Sequence, residues 1–248
     1  SPGKAGPARS IAYATSSGHI QCAAFRKDLP FDPLKDFTPL ALLGHVSVVF
    51  FVNAELPVRT MPEFISYAKA NPNKISYASA GVGAANHLLI EYMMSMLGLK
   101  MTHVPYKSDA EVTQQVASGA GGHFAVGGPA GPIAMAAAGK VRMLAVLGNR
   151  RLPGLPDVPC IGELNLPELK ELDSYVYMML LGPAGMPAEV VGGVNKAAAR
   201  GSKMPDVVEK MRGQLFVEPA SATPDELRQY LAKDLAKWRQ VAKTVKID

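Results

Sequence analysis

The chain has 248 residues, of which 48% are hydrophobic and 19% charged, and its formal net charge is +5. This length is enough for one large domain or two smaller lobes. The charge suits anionic ligands, but the sequence has no Lys/Arg run or aromatic–basic stripe, which argues against a nucleic-acid surface. No apolar run approaches the ~18 residues that span a bilayer. Residues 1–7 lack the apolar centre of a signal peptide, so a signal was either removed or never present.

Strand-like and helix-like segments alternate along the chain, which predicts an α/β protein with largely parallel sheets. A short apolar stretch at residues 10–14 ends in the polar turn 15–18. The apolar run VSVVFFV at residues 46–52 predicts a strand that is buried on both faces. A helix is predicted after it, because Thr60 and Glu63 form a capping-box pattern.

The middle of the chain continues this order around a glycine-rich turn. Residues 74–78 (KISYA) predict a strand, which leads into the turn 79–83 and then into a helix from about residue 84 to 97. Gly98 is predicted to close that helix, as glycine does at many helix C-termini. Further on, short strands are predicted at residues 102–106, 124–126 and 141–147, and a short helix is predicted at residues 110–118.

The last third of the chain is predicted to be mostly helical after one further strand. Residues 150–167 contain four prolines and predict a loop, and residues 175–181 (YVYMMLL) predict a strand. A helix follows at residues 187–199. The last helix is predicted to begin at Thr223, with Pro224 in the first helical position and a second capping box. Its buried stripe is predicted to comprise Leu227, Leu231, Leu235, Trp238 and Val241.

The strongest chemical signal is the order strand, glycine-rich turn and helix at residues 74–97. A helix N-terminus offers unpaired backbone N–H groups and about half a positive charge. Glycines allow an anion to approach these amides, and a serine hydroxyl adds a donor, so the turn predicts a carboxylate or phosphate site. The alternative is a tight strand-to-helix turn without a ligand. The predicted contacts are Ser79, Ala80, Gly81, Gly83, Ala84 and Asn86.

Two other turns are predicted to line the same cleft. Ser16 and Ser17 supply hydroxyls after the first strand, although a polar helix cap is equally consistent with them. Gly127 and Gly128 follow the strand at residues 124–126, where a turn without bulky side chains lets the backbone approach a ligand. Close packing of the lobes is the alternative at these glycines.

No cofactor, metal site or catalytic constellation is predicted. Asn86 replaces the third glycine of a dinucleotide-binding G-x-G-x-x-G, and no acidic residue follows at the required distance. His87 and Glu91 lie four residues apart, and His19 and Cys22 lie three apart. Each is an isolated pair, for which a structural role is favoured over metal binding. No nucleophile–base arrangement can be assigned, so the chain is predicted not to be an enzyme.

Six segments, spread over nearly the whole chain from Ser10, carry a family resemblance. They are DLPFDP…DFTP at 28–39, AKANPNKISY at 68–77, SAGVGAANHL at 79–88, HVPYK at 103–107, AGKVR…LPDVP at 138–159 and GPAGMP at 182–187. In this order they resemble the Bug family, the periplasmic receptors of tripartite tricarboxylate transporters, found chiefly in proteobacteria. The glycine-rich turn matches that family's S-x-G-x-G-x-x-x-H-L loop.

The resemblance implies a two-lobed α/β fold of the type II periplasmic-binding-protein (Venus flytrap) kind. Lobe 1 would hold residues 1–104 and 180–248, and lobe 2 residues 105–179, with hinge crossings at 103–106 and 175–181. It also implies a non-catalytic periplasmic receptor for a small carboxylate: a di- or tricarboxylate, an amino acid or an aromatic acid. The receptor would deliver this ligand from the cleft between its lobes to the membrane components of a tripartite tricarboxylate transporter.

Two departures from the family pattern lead to further expectations. The family's opening strand, loop, helix and strand have no counterpart before Ser10, so lobe 1 is expected to be incomplete at its N-terminus. Its exposed sheet edge is then expected to pair with a second chain, forming a homo-oligomer. The family's acidic residue near the strand at 124–126 is also absent. The alternatives are a truncated or divergent sensor with altered or lost binding and, less favoured, an α/β enzyme.

Overall fold

The computed structural model describes residues 10–26, 28–148, 150–172 and 176–244. It divides into two compact units, each with a β-sheet of its own. Unit 1 contains the described residues up to Val46 and those from Val176 to Lys243, and unit 2 contains the described residues from Ser47 to 172. Within these ranges, no helix combines the length and the apolar character needed to cross a membrane.

Unit 1 is built on a four-stranded sheet in which every neighbouring pair is antiparallel. The strand order is β1 (Ala12–Thr15), β8 (Val176–Pro183), β2 (Phe37–Val46) and β9 (Val217–Pro219). A π-helical turn at Ser17–Gln21 leads into the first helix. The helices are α1 (Cys22–Phe25), α6 (Ala188–Gly201), α7 (Pro205–Gly213) and α8 (Pro224–Thr244).

The start and the buried face of α8 are both as predicted. Thr223 Oγ1 accepts a hydrogen bond from the Glu226 N–H (3.2 Å), and the Glu226 carboxylate accepts one from the Thr223 N–H (2.7 Å). This reciprocal pair is the predicted capping box. The predicted stripe is no more than 4% exposed at Leu227, Leu231, Leu235, Trp238 and Val241. Each large apolar side chain buried in this way stabilises the fold by about 1.5–3 kcal/mol.

Unit 2 is built on a five-stranded mixed sheet. The strand order is β5 (Thr102–Pro105), β4 (Ser76–Ser79), β6 (Phe124–Gly127), β3 (Val48–Asn53) and β7 (Val141–Leu147). The helices are α2 (Met61–Ala70), α3 (Ala85–Leu97), α4 (Asp109–Ser118) and α5 (Ala130–Ala137). Short 3₁₀ turns lie at Ile161–Glu163 and Pro167–Leu172.

Strand directions in unit 2 bring several strand ends together. β4 is parallel to β5 and β6, whereas β3 is antiparallel to β6 and β7. The strands β4, β5, β6 and β7 therefore all end at one edge of the sheet, which we call the carboxyl edge.

The core of unit 2 forms around β3, all six residues of which are buried, as the continuous apolar run predicts. Phe64 of α2 stacks on Phe124 of β6 with ring centroids 4.4 Å apart. The side chain of Thr60 accepts a hydrogen bond from the Glu63 N–H (3.2 Å), which confirms the predicted start of α2. The cap fixes where α2 begins, and the aromatic contact fixes the face that it presents to the sheet.

The prediction of largely parallel sheets is wrong. Alternating strands and helices give parallel neighbours only where a crossover returns the chain to the same sheet, as β4, α3 and β5 do. The chain instead leaves unit 1 after β2 and re-enters it at β8. In unit 2, β3 runs against both of its neighbours.

The units also divide the chain at other positions than those predicted for the lobes. Residues 47–104, predicted in lobe 1, belong to unit 2, and residues 176–179, predicted in lobe 2, belong to unit 1. The strand pairings are the reason, because β3 and β4 pair with β6, whereas β8 pairs with β1 and β2. The segment predicted as a hinge at 103–106 lies largely in β5, an edge strand of the five-stranded sheet.

Candidate functional site

We call residues 79–84, which join β4 to α3, the glycine loop. Gly81 has a φ of +118° and Gly83 a φ of +77°, which are backbone conformations that L side chains rarely adopt. A Cβ atom added at Gly83 would meet nothing within 4 Å. The backbone angle, and not a lack of space, therefore requires glycine there. The open space leaves room for a ligand beside the backbone.

Three backbone N–H groups of the glycine loop, at Ala80, Gly81 and Gly83, donate to side chains of the loop or of α3, and the Ala84 N–H donates to the Gly81 carbonyl. The N–H groups of Val82 and Asn86 are different, because they have no acceptor within the described part of the chain. Val82 is also 54% exposed. The start of α3 thus leaves two donors unsatisfied, which a ligand with acceptor oxygens can fill.

The helices that follow the two predicted glycine turns have no side-chain cap. The N-cap residues are Ala84 for α3 and Pro129 for α5, and neither helix has an acidic residue in its first turn. By contrast, Thr60 caps α2 and Ser108 caps α4, and both of these helices begin with carboxylates. The positive helix ends of α3 and α5 are therefore not compensated by side chains of their own.

The second predicted glycine turn lies at the same carboxyl edge as the glycine loop. Gly127 ends β6, the parallel neighbour of β4, and Gly128 leads into α5. Gly128 is exposed, and a Cβ atom added there would meet nothing within 4 Å. Close packing within unit 2 therefore does not require glycine at this position. Ligands of open α/β sheets bind outside the carboxyl ends of parallel strands, where these turns lie.

Ser79 supports the loop from inside and does not present the predicted outward hydroxyl. Its side chain is 0% exposed, and its Oγ lies 2.6 Å from His103 Nε2. The same Oγ accepts a hydrogen bond from the Gly81 N–H and donates one to the Gly81 carbonyl, both at 3.2 Å. A buried hydroxyl needs internal partners, and here those partners hold the turn together.

Asn86 has a similar internal role. Its Oδ1 accepts hydrogen bonds from the N–H groups of Ala80 (3.1 Å) and His87 (3.0 Å), and its Nδ2 donates to Asp109 Oδ1 (2.9 Å). Burial raises the pKa of the Asp109 carboxyl group, an effect that the bond from Asn86 opposes. The side chain therefore ties the glycine loop to the first turn of α4, and only the backbone N–H of Asn86 is left for a ligand.

Two histidine rings lie against the glycine loop, the buried ring of His87 and the half-buried ring of His103. The rings of His87 and His103 stack with centroids 4.1 Å apart, and the ring of Tyr77 stacks on that of His103 with centroids 4.9 Å apart. The Tyr77 O–H donates to Glu91. Burial lowers the pKa of both histidines, and the neighbouring His87 helps to lower the pKa of His103 to about 4. Both rings are therefore neutral at physiological pH.

The sequence does not indicate this histidine pair. Its spacing pairs His87 with Glu91 alone, one helical turn away, and it indicates no partner for Ser79. The partners come from β5, where His103 lies opposite Tyr77 in the parallel register. Tyr77 and Ser79 lie on one face of β4 because side chains alternate along a strand. The alternation is visible in the sequence, but the register is not.

Ser16 and Ser17 lie in unit 1, whereas the other predicted contacts lie in unit 2. Ser16 is fully buried, and its Oγ accepts a hydrogen bond from the Tyr177 N–H of β8 (3.1 Å). Its side chain makes no capping bond to the π-helical turn that follows. Ser17 is half-buried, with its Oγ 3.0 Å from Thr15 Oγ1. Ser16 therefore connects β1 to β8, and of the two serines Ser17 is the one with exposed surface.

Unit 1 also contains an open polar cavity of about 410 Å³ that the sequence does not indicate. Neither Ser16 nor Ser17 lines it. Asp32 accepts hydrogen bonds from the N–H groups of two following residues, and Asp36 accepts one from the Asp32 N–H, so both carboxylates serve the local turn. The lining residues are Ala23, Arg26, Leu29, Pro30, Phe31, Asp32, Pro33, Asp36 and Arg239. Two arginines balance two carboxylates there, so the cavity has no clear preference for an anion.

Two α/β units on separate sheets, one with an uncapped glycine loop at its carboxyl edge, place the chain in the class of two-lobed periplasmic-binding-protein folds. A sequence model of the tripartite tricarboxylate transporter family receptor matches residues 8–247, and the chain belongs to this family. The predicted fold class and the family resemblance are both confirmed.

Known relatives agree with this assignment. The chain is 29% identical to the UPF0065 protein in the gbd 5′ region of Cupriavidus necator, over 85% of this chain and 62% of that relative. The chain therefore spans less than two thirds of the length of this relative. It is similar to the solved structure of R. palustris Rpa4515 with adipate (28% identity, TM-score 0.79, 94% of this chain and 77% of that chain). It is also similar to the periplasmic binding protein BugD (26% identity, TM-score 0.76, 95% and 79%).

Proposed function

We propose that this chain is a non-catalytic solute-binding receptor that holds a carboxylate group of a small organic acid at the glycine loop. The observation that carries the proposal is the pair of unsatisfied N–H groups, at Val82 and Asn86, on an uncapped helix end. A carboxylate has two acceptor oxygens, so it matches two donors, and its charge matches the positive end of α3. The similar R. palustris protein solved with adipate, a dicarboxylate, supports this ligand class.

The membership in a transporter-receptor family extends the proposal to the setting of the protein. We propose that the chain acts in the periplasm and delivers its ligand to the membrane components of a tripartite tricarboxylate transporter. Relatives described as periplasmic support this location.

An enzyme on the same scaffold is the competing function, and one observation bears on it. Ser79 Oγ and His103 Nε2 are 2.6 Å apart, a distance typical of a nucleophile and its base. However, the serine is 0% exposed, so a substrate has no access to its oxygen. A histidine with its pKa lowered to about 4 by burial and by His87 is also a weak base at neutral pH. We therefore propose binding without turnover.

A panel of mono-, di- and tricarboxylates in a thermal-shift assay tests the proposal, followed by calorimetry and product analysis for each acid that stabilises the protein. A ligand at 100 times its dissociation constant stabilises the native state by ~2.7 kcal/mol. We expect at least one acid to shift the melting temperature and to remain chemically unchanged. A panel without any shift contradicts the receptor function, and turnover of a stabilising acid favours the enzyme.

The substitution Gly83→Asp tests whether the ligand binds at the glycine loop. A carboxylate placed beside the amides repels the ligand, and we expect the affinity to fall by more than about a hundredfold. Gly139→Asp is the matched control, because Gly139 also has a positive φ (+68°) and open space around its Cβ position. It precedes β7 and so lies at the opposite edge of the sheet. Equal loss of affinity in both variants, or no loss in Gly83→Asp, would place the site elsewhere.

The pairing of a sheet edge with a second chain also remains a proposal. β1 is an edge strand of the four-stranded sheet, and Ile11 and Tyr13 at this strand are 50% and 57% exposed. Exposed apolar edges favour association through strand addition. Light scattering on the folded protein tests this, and a monomer at all concentrations contradicts it.

A further inference from the structure

The histidine pair described above constrains the protonation state in which the glycine loop can exist. The backbone N–H of Gly83 lies 3.0 Å from His87 Nδ1. A backbone N–H can only donate, so Nδ1 must carry a lone pair and the proton of the neutral ring must sit on Nε2. An imidazolium has no acceptor nitrogen. The observed loop geometry therefore requires a neutral His87.

His103 holds the other end of the loop and makes a charge on His87 more costly. Its Nε2 contacts Ser79 Oγ at 2.6 Å, and that hydroxyl bonds to both backbone groups of Gly81. The two imidazoles are stacked at 4.1 Å, a distance at which two positive charges repel strongly in a buried site. Each histidine thus reaches one glycine of the loop, His87 directly and His103 through a serine.

We infer that His87 is a positioning residue that holds the glycine loop in its binding conformation only while its ring is neutral, so that acidification releases the bound carboxylate. This inference rests on the proposed function. When Nδ1 takes up a proton, the Gly83 N–H loses its acceptor and meets a second donor, so Gly83 must move. Val82, whose N–H is offered to the ligand, is the neighbour of Gly83 and moves with it.

The ionisable groups around His87 set the pH at which its Nδ1 takes up a proton. Tyr77 on β4 and His103 on β5 stack in the same cluster, Glu91 lies on the same helix, and Asp109 of α4 reaches the cluster through Asn86. The 3₁₀ turn Pro167–Leu172, which packs on α3, brings Glu168, whose side chain is exposed.

The direction of the pH effect follows from burial. Burial is the leading cause of the lowered pKa of both histidines, so the unfolded chain takes up these protons before the folded one does. The stability that the neutral rings contribute is fully present above the unfolded pKa of about 6.5 and is lost as the pH falls below it. Binding that requires a neutral Nδ1 must weaken in the same direction. Direct attraction between a bound carboxylate and an imidazolium would act in the opposite direction.

Nuclear magnetic resonance of the ligand-free protein tests the inference without reference to any ligand. The ¹⁵N signals of His87 and the amide signal of Gly83 are followed between about pH 7.5 and about pH 5. We expect Nδ1 to be unprotonated at the upper pH and the Gly83 amide to shift with the same midpoint as His87. A Gly83 amide that does not respond while His87 titrates overturns the inference, as does an Nδ1 protonated at the upper pH.

Calorimetry with adipate as the probe adds the functional readout. We expect the affinity of the unmodified protein to fall by up to about tenfold per pH unit below the His87 midpoint, because one proton is linked to release. In His87→Asn the amide oxygen can take the place of Nδ1 without titrating, so binding is kept and this extra pH dependence disappears. In His87→Leu the acceptor is gone, and binding is weak at every pH.

The outcomes separate this inference from the proposed function. Identical pH profiles in the unmodified protein and His87→Asn, or tighter binding on acidification, overturn the role of His87. The ionisation of adipate itself is common to both variants and cancels in their comparison. If adipate binds to neither variant, the resonance titration alone decides the inference, and the carboxylate panel alone decides the proposed function.

Discussion

The N-termini of α3 and α4 lie at the same edge of the same sheet, one after β4 and one after its parallel neighbour β5. At α4, Ser108 Oγ accepts the Glu111 N–H (3.2 Å) and the Glu111 carboxylate accepts the Lys107 N–H (3.0 Å). At α3, Ala84 has no side chain that can do this. Identical placement therefore does not make two helix starts equivalent.

The comparison shows how a helix end becomes available to a ligand. A cap and a first-turn carboxylate satisfy the same amides and the same partial charge that an anion would satisfy. α4 is thus stabilised by its own residues, and α3 keeps donors that its own residues do not fill. The polar side chains that flank the start of α3, Ser79 at the end of β4 and Asn86 in the first turn of the helix, point inward and fix the loop.

The largest effect is expected when the start of α3 is given a capping side chain of its own, as the start of α4 has. Ala84→Asp places a capping carboxylate beside the unsatisfied Asn86 N–H. We expect it to raise the free energy of unfolding by about 0.5–2 kcal/mol and to weaken carboxylate binding by more than about a hundredfold. Thermal unfolding and calorimetry measure the two effects. Ala84→Asn, a cap without charge, should lose less affinity. A variant that is more stable and binds equally well would show that the cap and the ligand do not use the same N–H groups.

The next largest effect sharpens the difference between side chains that fix the loop and amides that are proposed to bind the ligand. Asn86→Ala removes the acceptor of the Ala80 N–H and the donor to Asp109. Leaving such buried groups unpaired should cost about 1–3 kcal/mol in the free energy of unfolding, measured by urea denaturation. Asn71→Ala, at the half-buried C-terminal end of α2, serves as the control and should cost less. Equal costs would mean that Asn86 has no special role in the loop.

The smallest effect is expected at α4 itself. Ser108→Ala removes the cap and should lower the free energy of unfolding by about 0.5–2 kcal/mol, while carboxylate affinity stays unchanged. Chemical denaturation and calorimetry under the same conditions check both statements. A change in affinity as large as that in Ala84→Asp would show that the two helix ends act together.

The glycine loop and its flanking elements were predictable because their signals are local. The strand, the turn with two glycines and the closing Gly98 lie in one continuous segment, and α3 ends at Leu97 with Gly98 at a φ of +66°. Strand β2 was not predicted because Pro39 and Gly44 interrupt its pattern. The structure accommodates them with register shifts beside each residue. At Gly44 the neighbouring strand passes so close that a Cβ atom would lie 2.6 Å from the Glu218 carbonyl oxygen.

The internal partners of the loop were not predictable for a different reason. Helix α5 was missed because its alanine- and glycine-rich sequence has no polar face to set a period. The contact between Ser79 and His103 joins residues 24 positions apart through strand register, which no local pattern specifies. The prediction of a hydroxyl facing the ligand at Ser79 failed for this reason, since its partner was invisible in the sequence.

The crossover from β4 through α3 to β5 also has a consequence for how this protein folds. The unsatisfied amides, both stacked imidazoles and Ser79, which links His103 to Gly81, all lie between Ser76 and Pro105. Contacts that are close along the chain close short loops, at a small cost in chain entropy, and a predominance of such contacts favours fast folding. The glycine loop is therefore encoded by one supersecondary unit, whose assembly needs few contacts that are distant in sequence.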